Sequence, residues 1–228
     1  MIRSSLFPIG VLALSVLTPV TAYAEQPSNV GDAIMIARAY HDSGDYQRDF
    51  DAVILQARQT LARDTAHTRK PAIVLDIDET TLSNWDEIRA DDFGYIPNGP
   101  CDSLPKGPCG AVAWEQSGRA PAFVSTRALI EDAYNQHVAV FFVTGRHENE
   151  RAATERNLRA AGIPRWDGLY LRPDDSHVRA GAYKTPTRAS IEAKGYTIVE
   201  SLGDQPSDLT GGHAEHTFLL PNPFYRVP

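Results

Sequence analysis

Short apolar runs alternating with helical stretches constrain this chain most. "PAIVLDI" (71–77), "VAVFFVT" (138–144), "GLYL" (168–171), "YTIVESL" (196–202) and "TFLLP" (217–221) read as strands. Between them, "TRALIEDAYNQH" (126–137) and "ENERAATERNLRAAG" (148–162) read as helices, the second stopped by Gly162. Thr185-Pro186 opens another, with Thr as N-cap and Pro at the first helical position, and Gly195 ends it. This alternation predicts an α/β fold built on a mostly parallel sheet. In such sheets ligands sit at the carboxyl ends of the strands, so chemistry is to be sought just after each apolar run.

The flanks add less specific information. Tyr46, Phe50, Val53, Ile54, Ala57 and Leu61 recur at helical spacing, and Ser43-Gly44-Asp45 breaks residues 32–65 into two helices packed on the core. Residues 83–121 are irregular and rich in Pro and Gly. The first 24 residues have the form of a signal peptide: Arg3, an apolar run over 6–17, and Ala22-Tyr23-Ala24 as a small-x-small cleavage site. That run is too short to span a bilayer. The expectation is an exported chain, periplasmic or secreted, with no stable membrane insertion after cleavage. Residues 25–228 then form a single domain large enough for a real core. The formal net charge of −7 becomes −8 without Arg3, which argues against a nucleic-acid or anionic-membrane partner. Cys101 and Cys109 would form a local disulfide in an oxidising compartment and remain two free thiols otherwise; they are too few for a zinc site.

The strand ends carry the chemistry. The first strand finishes in Asp76-Ile77-Asp78, and residues two apart on a strand face the same side. The second finishes in Thr144-Gly145-Arg146, Lys184 stands before the start of a helix, and the fourth strand leads into "GDQPSD" (203–208) with Asp204 and Asp208. Four carboxylates gathered at one sheet edge repel one another unless a cation sits among them. Oxygen ligands with no Cys or His suit Mg²⁺, which at such a site normally also binds substrate phosphate. Lys184 and the adjacent helix N-terminus would take the remaining phosphate charge. One carboxylate can attack phosphorus to give an aspartyl-phosphate, and a second can act as general acid, then base. Taken singly, each feature is commonplace in turns, caps and solvated loops; four of them in order, each at a strand end or helix start, are hard to explain as structure alone.

These motifs resemble those of the haloacid dehalogenase (HAD) superfamily: "DIDETTL" (76–82), "FFVTGR" (141–146), Lys184 and "GDQPSD". More narrowly, "TGRHENERAATERNLRAAG", "YKTPTRASIEAKGY", "GDQPSDLTGG" and "LPNPFY" are similar to secreted acid phosphatases of subfamily IIIB, the bacterial class C enzymes and the plant vegetative-storage type. The resemblance implies a three-layer α/β/α fold with a small cap insert over 83–121, and phosphomonoester hydrolysis. It implies Asp76 as nucleophile, and Asp78 as general acid and base that also offers its carbonyl to the metal. Thr144, with Gly145, would bind a phosphoryl oxygen, Lys184 would hold Asp76 and phosphate together, Asp204 would ligate Mg²⁺ with Asp76, and Asp208 would bind or orient near it. A true dehalogenase fits less well, because the second Asp and the acidic fourth motif belong to the phosphatases. Some plant storage relatives lack the nucleophile, but Asp76 is present here.

Other readings stay open on the residues. A phosphotransferase would use the same groups, and a non-catalytic phosphate-ligand or storage protein would use only some of them. Arg146 either reaches phosphate or pairs with Glu148 or Glu150. The insert's aromatics, Trp85 and Tyr95 with Phe93 and Trp114, either contact the substrate's organic group, for instance a nucleobase, or form the insert's own small core. His213 and His216, in "GGHAEH", could hint at a metal, but two His without further ligands make a poor site and read rather as a solvated loop. A homodimer is left open.

Overall fold

A computed structural model describes residues 27–227; the signal-peptide expectation lies outside the described residues. Five parallel strands form one sheet in the order β3-β2-β1-β4-β5: β1 (Pro71–Leu75), β2 (Ala139–His147), β3 (Gly168–Arg172), β4 (Thr197–Gly203) and β5 (His216–Leu219). The central β1 is apolar on both faces because both are covered. Ile73 and Leu75 point into a large core with Phe50, Ile54 and Leu61 of α2 (Asp45–Asp64), Leu129 and Ile130 of α5 (Val124–Asn135) and Leu158 of α6 (Arg151–Ala160). Ala72 and Val74 point the other way, onto Phe141, Val143, Ile198 and Ile191 of α7 (Ala180–Ala193). The result is the expected three-layer α/β/α architecture. Chain progression reverses beside β1, so its carboxyl end opens on the crevice where ligands bind in such sheets.

The N-terminal pair forms as the spacing predicts. α1 (Val30–Asp42) and α2 are separated by Gly44 at φ +83°, a left-handed turn that glycine adopts without penalty. Among the described residues no helix is long and apolar enough to cross a membrane.

Four local expectations are corrected. β1 stops at Leu75, so Asp76 and Asp78 do not share a face by strand pleat. Instead the Ile77 carbonyl collects the amides of Thr81 and Leu82, both at 2.8 Å, and Glu79 turns left-handed at φ +52°. Residues 83–121 are not wholly irregular, because α3 (Trp85–Ala90) and α4 (Ala111–Ser117) lie within them. The stretch from 148 opens with a 3₁₀ turn, Glu148–Glu150, before α6 begins. Thr185-Pro186 does not open a helix either: α7 starts at Ala180 and carries Pro186 inside. Proline there forfeits one backbone hydrogen bond. Ala180, Lys184, Arg188 and Ile191, spaced four, four and three apart, form a buried face that outweighs the loss. Lys184 is therefore the fifth residue of a helix, and the idea that a helix N-terminus beside it receives phosphate charge falls.

Candidate active site

α7 and the loop after β4 build the polar centre together. Lys184 Nζ donates to Oδ1 of Asp76 and to Oδ1 of Asp208, each at 2.5 Å, with all three groups buried. Asp76 continues the β1 ladder by one residue, its amide donating to the Leu202 carbonyl at 3.0 Å. Asp208 is fixed from several sides. Arg188, fully buried one turn beyond Lys184, donates to the Asp208 carbonyl at 2.6 Å and to the carbonyls of Thr210 and Gly212, clamping the loop. The Gln205 amide donates to Asp208 Oδ2 at 2.9 Å. The Asp208 carboxylate rests so close to Gly203 that a Cβ there would lie 2.2 Å from it, so only glycine fits at that position.

Asp204 completes the cluster. Its Oδ2 accepts from Gln205 Nε2 at 2.5 Å and from Asn222 Nδ2 at 2.6 Å. Its Oδ1 has only a long 3.5 Å contact from the Thr80 hydroxyl. Asp76, Asp204 and Asp208 each present a carboxylate oxygen within 4.8 Å of the others. Burial pushes the Asp76 carboxyl well above its usual range; the Lys184 ammonium works against this, and the charges of Asp208, Asp204 and Asp78 add to it. Asp204 is pushed to about 6, by burial first and then by Asp208. Burial opposes the charge on Lys184, but the carboxylates of Asp76 and Asp208 outweigh it and raise its pKa, so it stays protonated.

A divalent metal ion fits these residues. Three buried carboxylates face one ammonium, the donors are all oxygen, and Asp204 Oδ1 is free of strong partners. The bridge between Asp78 and Leu82 is closed by the Ile77 carbonyl and the Glu79 amide, which leaves the Asp78 carbonyl outside it.

Asp78 lies on the turn after β1. Arg146 Nη2 donates to its Oδ1 at 2.6 Å, Nε lies 3.1 Å from both oxygens, and Asn84 Nδ2 donates to Oδ1 at 2.9 Å. Burial alone would raise this carboxyl, but the charge and hydrogen bonds of Arg146, with that of Asn84, hold it below its usual range. Arg146 therefore engages neither of the glutamates considered for it: Glu148 pairs with Arg151, and Glu150 accepts from the His147 amide at 2.7 Å. Thr144 is fully buried, and its hydroxyl oxygen accepts from the Arg146 amide at 3.1 Å. A Cβ on Gly145 would meet nothing within 4 Å, so the chain leaves open space beside Thr144.

The insert's aromatics divide. Trp85 stacks on His41, ring centroids 3.5 Å apart and planes 11° from parallel, and packs on Phe93 and Phe224. Trp114 is buried and donates its indole N–H to Asn84 Oδ1 at 2.8 Å. These rings form a small core, whereas Tyr95 is 78% exposed. Cys101 and Cys109 are joined as a disulfide across the insert. His213 and His216 contact Glu192 and Asp64 respectively, away from the carboxylate cluster.

The sequence model of the HAD superfamily, subfamily IIIB (acid phosphatase), matches residues 21–228. The chain belongs to that family. As a member it is a phosphomonoester hydrolase, and one relative is itself named an acid phosphatase. It is 32% identical over 202 residues to the stem 28 kDa glycoprotein of Glycine max, covering 86% of this chain and 75% of that one. It is 34% identical over 156 residues to acid phosphatase 1 of Solanum lycopersicum, covering 68% and 58% respectively. Vegetative storage protein 1 of Arabidopsis thaliana is 28% identical over 223 residues, covering 96% and 77%. The fold matches that of the class C acid phosphatase from Bacillus anthracis with a TM-score of 0.68 at 21% identity, covering 86% of this chain and 85% of that one.

Several residues that shape this acid phosphatase site carry no strand-end signal. Arg188, Asn84, Gln205, Asn222 and Tyr225 act by holding the acids or their neighbours, and Tyr225 donates to Glu79 at 2.6 Å. One of them was detectable: Lys184 and Arg188 fall four apart on an otherwise apolar helical face, and cations in that position must have buried partners. Asn222 and Tyr225 meet the site from the end of the chain, and no local pattern announces that.

Proposed function

We propose that this acid phosphatase is exported, works with Mg²⁺ and transfers the phosphoryl group through an aspartyl-phosphate on Asp76. Its substrates would be small phosphomonoesters, nucleoside monophosphates among them. The observation that carries the reading is Lys184 held at 2.5 Å from both Asp76 and Asp208, with Asp204 in the same buried cluster. Lys184 works against the neutralisation that burial and the neighbouring acids impose on Asp76, as a bound metal ion would, and so favours the carboxylate needed as nucleophile.

The chemistry follows from placement. A carboxylate oxygen of Asp76 attacks phosphorus, and the phosphorus–oxygen bond to the leaving group breaks as Asp78 gives that oxygen a proton; Arg146 and Asn84 favour the ionised form of Asp78, so it takes that proton up from solvent at acidic pH before the ester reacts. Water then attacks phosphorus, its proton passing to Asp78, and the Asp76–phosphorus bond breaks to release inorganic phosphate. Thr144 and the open space at Gly145 receive the phosphoryl oxygens, with Lys184 neutralising part of their charge. Asp76, Asp204, Asp208 and the Asp78 carbonyl would hold Mg²⁺, which when bound offsets phosphoryl charge in the transition state. Of the two aromatics assigned to the leaving group, Tyr95 has an open ring, whereas one face of Trp85 is occupied by His41. The leader pattern and the Cys101–Cys109 disulfide support export.

The test is an assay of an aryl phosphate by chelator-stripped protein with and without Mg²⁺, beside Asp76→Asn. Turnover that returns with Mg²⁺ and is absent from the variant is expected. No turnover by the wild-type chain from acidic to neutral pH would overturn the reading in favour of a binding or storage role.

A further inference from the structure

Asn84 makes three side-chain hydrogen bonds and one backbone hydrogen bond to three residues that meet at the general acid. Its Oδ1 accepts from the Trp114 indole at 2.8 Å, and its Nδ2 donates to Asp78 Oδ1 at 2.9 Å and to Glu79 Oε2 at 3.1 Å. Its backbone amide donates to Glu79 Oε1 at 2.6 Å. An indole N–H can only donate, so it fixes which end of the carboxamide is oxygen and aims the amino group at Asp78. Trp114 and Asn84 are both buried and both belong to the insert. On the opposite side, Arg146 donates twice to Asp78 Oδ1 and once to Oδ2. Three contacts thus saturate one oxygen of Asp78, while the other has one long contact. The Asp78 side chain is 22% exposed, whereas that of Arg146 is 1% exposed. The donors are sealed in, and part of the acid stays accessible.

We infer that Trp114, Asn84 and Arg146 are positioning residues that turn Asp78 so that Oδ2 delivers the proton to the leaving oxygen, and that the insert thereby sets how well the enzyme expels poor leaving groups. The inference rests on the proposed role of Asp78. It assigns Arg146 to the acid, not to phosphate. The two assignments predict different kinetics. An arginine that binds phosphate acts on every ester alike, because every ester carries the same phosphoryl group. A group that orients the acid matters only when the leaving oxygen needs a proton.

The experiment compares kcat/KM for ethyl phosphate, whose alkoxide must be protonated, with that for 2,4-dinitrophenyl phosphate, whose phenolate leaves without a proton. Phosphoryl transfer to Asp76 is read in kcat/KM, which excludes the later hydrolytic step common to both esters. In Asn84→Ala the ethyl-to-dinitrophenyl ratio is expected to fall about tenfold or more, a part of the about 10²–10⁴-fold that a positioned general acid supplies. Arg146→Lys should lower the ratio in the same direction. Trp114→Phe keeps the packing and removes only the N–H; it should lower the ratio less, and it decides the matter if Asn84→Ala does not fold. Equal losses on both esters in these variants would overturn the inference and return Arg146 to phosphate binding. A wild-type chain that turns over neither ester would overturn the phosphatase mechanism itself, which is a separate result.

Discussion

The carboxamide of Asn222 donates to Oδ2 of Asp204 at 2.6 Å, so a residue six positions before Pro228 orients a carboxylate of the central cluster. Asn222 is itself held, its Oδ1 accepting from the Phe224 amide at 2.9 Å. Outer partners of this kind typically matter about 10–100-fold in metal affinity. Asn222→Ala should raise the Mg²⁺ concentration needed for half-maximal activity by about that factor, with kcat at saturating Mg²⁺ less affected. The stabilisation of the folded chain by Mg²⁺, followed as Tm against ion concentration, should shift to higher concentration in parallel. An unchanged Mg²⁺ requirement by both measures would remove Asn222 from the metal site.

Thr144 and Asp76 make a graded pair. Thr144 offers one hydrogen-bond donor, so Thr144→Ala should cost about 10²–10³-fold in kcat, the size seen for a single oxyanion donor. Asp76→Asn should remove nearly all turnover, because the covalent step has no substitute nucleophile. Losses of equal size, measured on one aryl phosphate at saturating Mg²⁺, would contradict the roles assigned.

Glu115 of α4 and Glu150 of the core face one another across the base of the insert. Glu150 Oε1 is buried without a hydrogen-bond partner, and Glu115 is pushed up to about 10 by burial first and by its interaction with Glu150 second. A proton on Glu115 would supply the donor that Glu150 lacks. The folded value lies above the unfolded one, so the contribution to stability is complete below pH about 4.5 and is lost progressively as pH rises toward about 10. Glu115→Gln keeps an N–H for Glu150 and cannot ionise. It should match the wild type in Tm near pH 4 and exceed it at pH 8. A wild-type Tm advantage that persists at pH 8 would exclude the shared proton.

Glu200 lies on β4 with no exposed surface, and neither carboxyl oxygen makes a hydrogen bond of normal geometry. Burial, then the charge of Asp64, pushes it up to about 8. The unfolded chain ionises it near its ordinary value, so this residue costs stability increasingly between pH about 4.5 and about 8. Glu200→Gln should raise Tm at pH 8, by about 2–4 °C for each kcal/mol recovered in a domain of this size. Thermal melting at pH 4, where both forms are neutral, should show little difference.

The legible part of the fold was the part set by short-range pattern. Apolar runs such as "PAIVL" and "FFVT" must be buried on both faces, which makes them central parallel strands, and the ends of such strands are where polar groups can meet a ligand. Four motifs in that setting were enough to indicate Asp76, Thr144, Lys184, Asp204 and Asp208. The errors came where a local rule met a stronger tertiary one. Thr185-Pro186 has the form of a helix start, yet the buried face from Ala180 to Ile191 carries the helix through it. For Trp85 and Trp114 the sequence left two readings open, substrate contact or a small core of the insert, and the structure gives the core: one packs on His41 and the other bonds Asn84.

The sequence by itself determined the α/β architecture, the edge of the sheet that carries chemistry and the acids and lysine gathered there, because strand ends and helix faces follow from neighbours a few residues apart. Only the tertiary structure decided what each of those groups touches. The pairing of Arg146 with Asp78, the hold of Asn222 on Asp204 and the clamp of Arg188 on the Asp208 loop join residues 18 to 68 positions apart. A charge or hydrogen bond is set by distance in space, which the spacing of residues along a chain does not record.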